Sequence, residues 1–316
     1  MSPSAVAKSL PLFTRHPANP IITVNQLPYQ ANAIFNPAAA RVDGETVVLA
    51  RVEDMRGISH LIATRSTDGA TDWRFDADPF IAPDAAHPEE LWGCEDPRIT
   101  WLAELGQWAI TYTAYSCNGP LVALALSPDL HSVTKHGPVT LPEDKDAALF
   151  PYRINGRWAM IHRPTPHDTA NMWISYSPDL VHWGDHKVLL EARRGAWWDV
   201  KIGLGPQPIE TAEGWLVCYH GVRLTSAGPI YRAGLVLLDL DDPCKVLRRT
   251  DKWVLGPAEP YELNGDVGNV VFPSGWVLDE KTGIVSLYYG AADMCIGLAT
   301  AKLDGILAHL HKAPRG

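Results

Sequence analysis

Residues 34–51 read IFNPAAARVDGETVVLAR. Two apolar runs flank Asp43-Gly44, a dipeptide suited to the two-residue turn in which both central residues take positive φ. The stretch predicts a β-hairpin, Ile34 to Val42 against Thr46 to Arg51. The same pattern returns four times. Ile99 to Leu102 leads through Gly106 into Trp108–Tyr112, and Phe150 to Ile154 through Asn155-Gly156 into Trp158–His162. Gln207 to Ile209 leads through Glu213-Gly214 into Trp215–Tyr219, and Trp276 to Leu278 through Gly283 into Val285–Tyr289. The turn glycines thus recur roughly every 50 to 70 residues, a period typical of propeller blades. A second turn follows several hairpins: Ser66-Thr67-Asp68, Ser127-Pro128-Asp129 and Ser177-Pro178-Asp179, with Asp239-Leu240-Asp241 in the fourth unit. Each unit reads as about four short antiparallel strands, so the expected fold is all-β, a five-bladed β-propeller. Two packed sheets would account for the strands but not for a five-fold recurrence of both turns. Only Ile306 to Lys312 look helical, and residues 1–30 read as an extension wrapping a blade edge of a single domain spanning 1–316.

Composition agrees. With 46% apolar residues, 12 Trp, 25 Gly and 26 Pro, the chain can bury a large core and turn often. A net charge of −9 argues against nucleic-acid or anionic-membrane partners, which need a basic stripe. Five scattered cysteines (94, 117, 218, 244, 295) without a C-x-x-C pair suit a reducing compartment. The N-terminal MSPSAVAKSLPLFTRHP has no sustained apolar run, so the sequence reads as cytoplasmic and soluble. The 12 histidines show no metal-ligand spacing, and there is no G-x-S-x-G, P-loop or G-x-G-x-x-G after a strand. No metal and no cofactor are expected.

Hairpin topology brings distant residues together. The start of the first strand and the end of the second lie at the end opposite the turn. The starts carry Asn36, Glu95-Asp96, Lys145-Asp146 and Lys201; the ends carry Arg51 with Asp54, Tyr115, His162-Arg163, His220 and Asp293. If these hairpins are the inner strands of the blades, all face one mouth of the central channel. Each has a plainer reading. Gly93-Cys94-Glu95-Asp96-Pro97-Arg98 could be a tight turn with a local Asp–Arg ion pair ahead of a strand beginning near Ile99. There Pro97 would bias Asp96 toward an extended conformation. Arg51 to Arg56 could be an exposed charged loop, His162 structural, and Lys201 a surface lysine lying over Trp197-Trp198.

The segments IFNPAAARVDG, RVEDMRGISHL, GCEDPRIT, KDAALFPYRINGRWAMIHRP, WWDVKIGLGPQPIET and YYGAADMCIGLA, in this order, resemble family 130 of the glycoside hydrolases, the β-mannoside phosphorylases and some β-mannosidases. The resemblance runs from about residue 15 to 305 and implies a five-bladed propeller with its active site at one end of the channel. It implies that Asp96, the aspartate of the E-D-P-R motif, is the proton donor, acting in part through a sugar hydroxyl. Lys145, Arg163, Lys201 and His220 match the phosphate-binding positions, Lys145 standing where arginine is common. Asn36, Arg51, Asp54 and Asp293 match positions that resemble sugar-binding residues, and Glu95, Tyr115 and Asp146 fall beside them in the same pocket.

Inverting hydrolases place a second carboxylate to activate water. A phosphorylase needs a cradle of cations instead, because phosphate is already an anionic nucleophile. Four basic groups in an acidic protein therefore favour inverting phosphorolysis of β-mannosides, giving α-mannose 1-phosphate, with phosphate as co-substrate. The hydrolytic members are expected to lack much of this basic set. An inverting β-mannosidase and a non-catalytic mannoside-binding propeller are the alternatives. The partners expected are the mannoside and phosphate, a homo-oligomer being open. The leaving-group subsite is expected in Pro166 to Asn171, Val222 to Tyr231 and Glu259 to Asp266.

Overall fold

The computed structural model describes residues 11–165 and 170–315. Five antiparallel units follow one another along the chain. Blade I is Ala33–Val42, Glu45–Glu53, Ser59–Ser66 and the short Arg74–Phe75. Blade II is Gly93–Leu102, Gln107–Ser116, Gly119–Ser127 and Thr134–Pro138. Asp144–Leu149, Trp158–Pro164, Met172–Ser177 and Gly184–Leu190 make blade III. In blade IV, Lys201–Leu204 and Ile209–Thr211 share the inner edge of Gly214–Thr225, followed by Gly228–Leu238 and Val246–Arg249. Blade V is Val271–Asp279, Ile284–Ala291 and Cys295–Lys302, and its outer strand, Thr14–Arg15, comes from the other end of the chain to pair with Ala299 and Thr300.

The turns form for the expected reasons. Asp43 and Gly44 take φ of 47° and 83°, and Asn155 and Gly156 take 50° and 79°, values that only Gly and the short Asx side chains adopt readily. In the Ser-x-Asp turns the serine hydroxyl and the aspartate carboxylate collect the free backbone N–H groups. Ser127 Oγ accepts from Leu130 N at 2.7 Å while Asp129 Oδ1 accepts from His131 N at 2.8 Å. Ser177 and Asp179 repeat this with Leu180 and Val181.

The core is partitioned by blade interface. Leu49 and Ile99 belong to a cluster between blades I and II, Leu102 and Trp158 to one between II and III, and Phe150 and Trp215 to one between III and IV. Leu216 and Trp276 lie between IV and V, and Ile34 and Tyr288 between V and I. The second-strand tryptophans of the sequence repeat are the wedges: Trp158 and Trp215 are essentially fully buried, and Trp215 meets Phe150 edge-on at 4.9 Å.

Two expectations need correction. The inner strands lie earlier than the apolar runs suggest: that of blade II begins at Gly93 instead of Ile99, and that of blade III is Asp144–Leu149, ending before the expected Phe150 to Ile154. The helical content is also larger: the last helix is Leu303–His311, and a four-residue helix, Pro260–Leu263, precedes blade V. Among the described residues, no helix is long and apolar enough to cross a membrane. The five cysteines are free thiols.

Candidate active site

The early strand starts have one cause. In blades I, II and III the inner strand carries a bulge, where the ladder shifts register between Phe35 and Ala38, Glu95 and Arg98, and Lys145 and Ala148. Each bulge holds one residue at positive φ: Asn36 at 44°, Asp96 at 46° and Asp146 at 54°. Asn and Asp enter this region more readily than other residues. Pro97 therefore does not leave Asp96 extended; the chain turns left-handed and the ladder resumes beyond it. Arg98 pins the kink, donating from Nη1 to the Asp96 carbonyl at 2.8 Å, with Nη2 on Leu204 O at 2.9 Å and Nε on Gly205 O at 2.5 Å. The expected local Asp–Arg ion pair is thus absent from this contact: the fully buried Arg98 clamps backbone across to blade IV.

The three bulges aim their side chains into the central channel, at a cavity of about 150 Å³. Blades I and II supply Asn36, Arg51 and Asp96; blades III and IV supply Lys145, Asp146, Arg163, Lys201, His220 and Tyr231; Val267, Val270, Phe272 and Asp293 close it from blade V and its approach. Nine of the thirteen residues singled out from the sequence line this one space.

Asp96 is buried, and Oδ1 accepts from Asn36 Nδ2 at 2.9 Å and from Arg51 Nη1 at 3.2 Å. Burial pushes the Asp96 carboxyl up, but Arg51, Lys145 and Arg98 outweigh it and hold it below the usual range. Asp293 goes the other way. Burial raises it to about 6, helped by the Asp96 charge and opposed by Arg51.

On the far side Asp146 is the hub. Its Oδ2 accepts from Arg163 Nε at 2.7 Å and lies 3.5 Å from His220 Nε2, while Oδ1 is 3.8 Å from Arg98 Nη2. Despite the cost of burial, these basic neighbours hold the carboxyl well below its ordinary range. Lys201 is lowered to about 8 by burial and by the charges of Arg163 and Lys145. Burial likewise takes His220 down to about 3, so the ring is neutral near neutral pH, and neither of its nitrogens has a hydrogen-bond partner among the described residues. Phe272 and Tyr231 pack beside it, ring centroids 4.5 and 5.9 Å away.

Four singled-out residues stand outside the cavity lining. Glu95 bonds Arg51 Nη2 at 3.0 Å, holding the arginine from its outer side. Asp54 is engaged with Arg56 at 2.7 Å and with the backbone N–H groups of Arg56 and Ile58. Tyr115 lies edge-on to Trp92 at 5.5 Å. His162, expected at the mouth beside Arg163, points to the other face of blade III. Phe272 was missed as a lining residue, and Tyr231 was expected only as the end of a leaving-group loop. The signal existed, since the starts of third strands also lie at the mouth, and the inner strand of blade V begins at Val271, ahead of the apolar run from Trp276. Of the three expected subsite loops, 166–169 lie outside the described residues, Val222 to Tyr231 is the tip of a long hairpin, and Glu259 to Asp266 contains the short helix.

Comparison with known proteins bears on what this cavity is. A family profile described as beta-1,4-mannooligosaccharide phosphorylase matches residues 10–312. A beta-1,4-mannooligosaccharide phosphorylase of Ruminococcus albus is 36% identical over 306 residues, covering 94% of this chain and 90% of that protein. A beta-1,2-mannobiose phosphorylase of Listeria innocua is 36% identical over 258 residues, covering 81% and 70%. The solved structure of beta-1,2-mannobiose phosphorylase from Listeria innocua, in complex with beta-1,2-mannobiose, superposes with a TM-score of 0.85 at 30% identity, covering 95% of this chain and 99% of that one. The blade count, the channel-end cavity and a profile that spans almost every residue agree: the chain belongs to glycoside hydrolase family 130.

Proposed function

We propose that this protein phosphorolyses β-mannosides with inversion, moving the mannosyl group from its acceptor to inorganic phosphate and releasing α-mannose 1-phosphate. The observation that carries this is the cation cluster: Lys145, Arg163 and Lys201, with the donor-capable ring of His220, surround one small cavity that also holds Asp96. The relatives, mannooligosaccharide and mannobiose phosphorylases, support the same reaction class.

Each residue then has a task. Arg163 and the two lysines hold phosphate on the side of blades III and IV, by charge-assisted hydrogen bonds of about 1.5 to 3 kcal/mol each. His220 adds a donor without charge. Asn36, Arg51 and Asp293 face the mannosyl ring beside Asp96. A phosphate oxygen bonds to C1 from the α face as the C1–O bond to the acceptor breaks. The acceptor oxygen takes its proton from Asp96, directly or across a sugar hydroxyl. Monohydrogen phosphate brings the proton that replaces it, so the products are the mannose 1-phosphate dianion and a neutral alcohol, with no net proton change. The neighbouring cations favour the ionised form of Asp96. Bound phosphate offsets those charges and raises its pKa, so that the acid form appears when the nucleophile is present.

Hydrolysis is disfavoured on the same electrostatics. Asp146 is the carboxylate on the cation side, and its basic neighbours hold it well below its ordinary range, which makes it a weak base toward water. The test is incubation with β-1,2- and β-1,4-mannobiosides, with and without phosphate. Mannose 1-phosphate is expected only with phosphate, free mannose negligible without it, and Asp96→Asn slower by about 10²–10⁴. Full-rate release of free mannose in phosphate-free buffer would make the protein a mannosidase instead.

A further inference from the structure

Blade III presents a second polar assembly on the face turned away from the cavity. Strand alternation puts Lys145 and Arg163 on the channel side and their predecessors, Asp144 and His162, on the other. There Asp144 Oδ2 and His162 Nδ1 are 2.6 Å apart, His162 Nε2 and Ser175 Oγ 2.6 Å, and Ser175 Oγ and His186 Nδ1 2.6 Å. The first three side chains are buried, and His186 is exposed in a groove of about 750 Å³ between blades II and III. Asp144 does one thing more: its Oδ1 accepts from the backbone N–H of Arg163 at 3.1 Å, beside the bulge where the ladder changes register.

The direction of the first bond follows from the acid. A carboxylate only accepts, so His162 Nδ1 carries the hydrogen. His162 Nε2 then meets the Ser175 hydroxyl, which in turn meets His186 Nδ1. At the other end of the chain, Asp144 holds the main chain of Arg163. Ser175 has no access to solvent, and its hydroxyl is already engaged with two imidazoles, so the Asp–His–Ser geometry does not make a nucleophile.

We propose that Asp144, His162, Ser175 and His186 are positioning residues for phosphate, holding the Arg163 main chain, and Lys145 opposite it, in the geometry of the anion cradle. Oriented groups need such locked support, because an error of a fraction of an ångström weakens a forked contact to an anion. The inference rests on the phosphorolytic reading, but its test does not require turnover.

Asp144→Asn keeps the shape while placing an amide where the carboxylate met two N–H donors. Titration calorimetry with inorganic phosphate should show binding weakened about tenfold, the scale of one hydrogen bond to a charged group. Binding of β-mannobiose without phosphate should change less than about twofold, being made by groups of other blades. Ser175→Ala, which deletes one oxygen and no hydrocarbon, should shift phosphate binding in the same direction by about threefold, and it carries the test if Asp144→Asn does not fold. Equal losses for phosphate and mannoside, or unchanged phosphate binding in both variants, would overturn the proposal. Wild-type protein that binds phosphate without forming mannose 1-phosphate would instead count against the proposed reaction.

Discussion

Arg163 enters the cavity with part of its guanidinium already engaged. Its Nε donates to Asp146 at 2.7 Å and Nη1 to Thr165 Oγ1 at 3.2 Å, so its orientation is set before any anion arrives. Arg163→Ala should raise the KM for phosphate by one to two decades, about 1.5 to 3 kcal/mol, with much smaller change in mannoside binding measured without phosphate. An unchanged phosphate KM would remove it from the cradle. Lys201 allows a test by pH. Its pKa of about 8 means that above this value it loses the proton that makes it a cation, so phosphate affinity should fall as pH rises through that region. Lys201→Arg, permanently charged, should flatten that alkaline limb in a KM-against-pH series even if it costs affinity at pH 7.

At the level of the element, the inner strand is the device that makes the site. A regular strand would alternate its side chains and deliver Asp96 to a neighbouring blade; the bulge delivers it to the channel. Blade IV meets the same channel with Gly203, where an added Cβ would fall on the Asp146 carboxylate and the His220 ring. Gly203→Ala should therefore push the hub aside. The expected outcome is about 1 to 3 kcal/mol of overpacking seen as a lower Tm, together with loss of phosphate binding beyond what the lower stability explains. Normal phosphate binding in a folded Gly203→Ala protein would show that the hub tolerates displacement.

For the whole molecule, the ring has to be closed, and closure is made by chain ends. Thr14–Arg15 completes blade V, and Arg15 forks onto the fully buried Glu262 at 2.7 and 2.8 Å. Glu262 also accepts from Tyr289 Oη at 2.8 Å and caps the helix through Ala258 N and Glu259 N. Removing one partner of such a pair leaves a buried charge, at a cost of roughly 3 kcal/mol. Arg15→Ala should lower Tm by several degrees while leaving kcat near wild type at 25 °C, because Arg15 is not among the residues that line the cavity. A loss of kcat with unaltered Tm would tie closure to catalysis instead of stability.

The number of units, their order, the turns and most of the lining residues were legible in the sequence, because they depend on local chemistry. Asp-Gly and Asn-Gly demand positive φ, apolar runs alternate with turns, and hairpin topology alone decides which strand ends share a mouth. The bulges were not legible: Asn36-Pro37 sits inside a run that reads as one strand and Asp96-Pro97 reads as a turn ahead of another, and only the ladder on either side, with Arg98 clamped to blade IV, makes the left-handed kink the lower-energy choice. Tertiary structure also decided which arginine serves Asp96. Arg98 is nearest in sequence, yet Arg51 from another blade bonds its carboxylate. It decided the charge states as well. His220 and Lys201 are ordinary bases in sequence, but the lowering of their pKa values comes from burial among cations that arrive from different blades. Desolvation and charge act through space, and the sequence orders residues along a line.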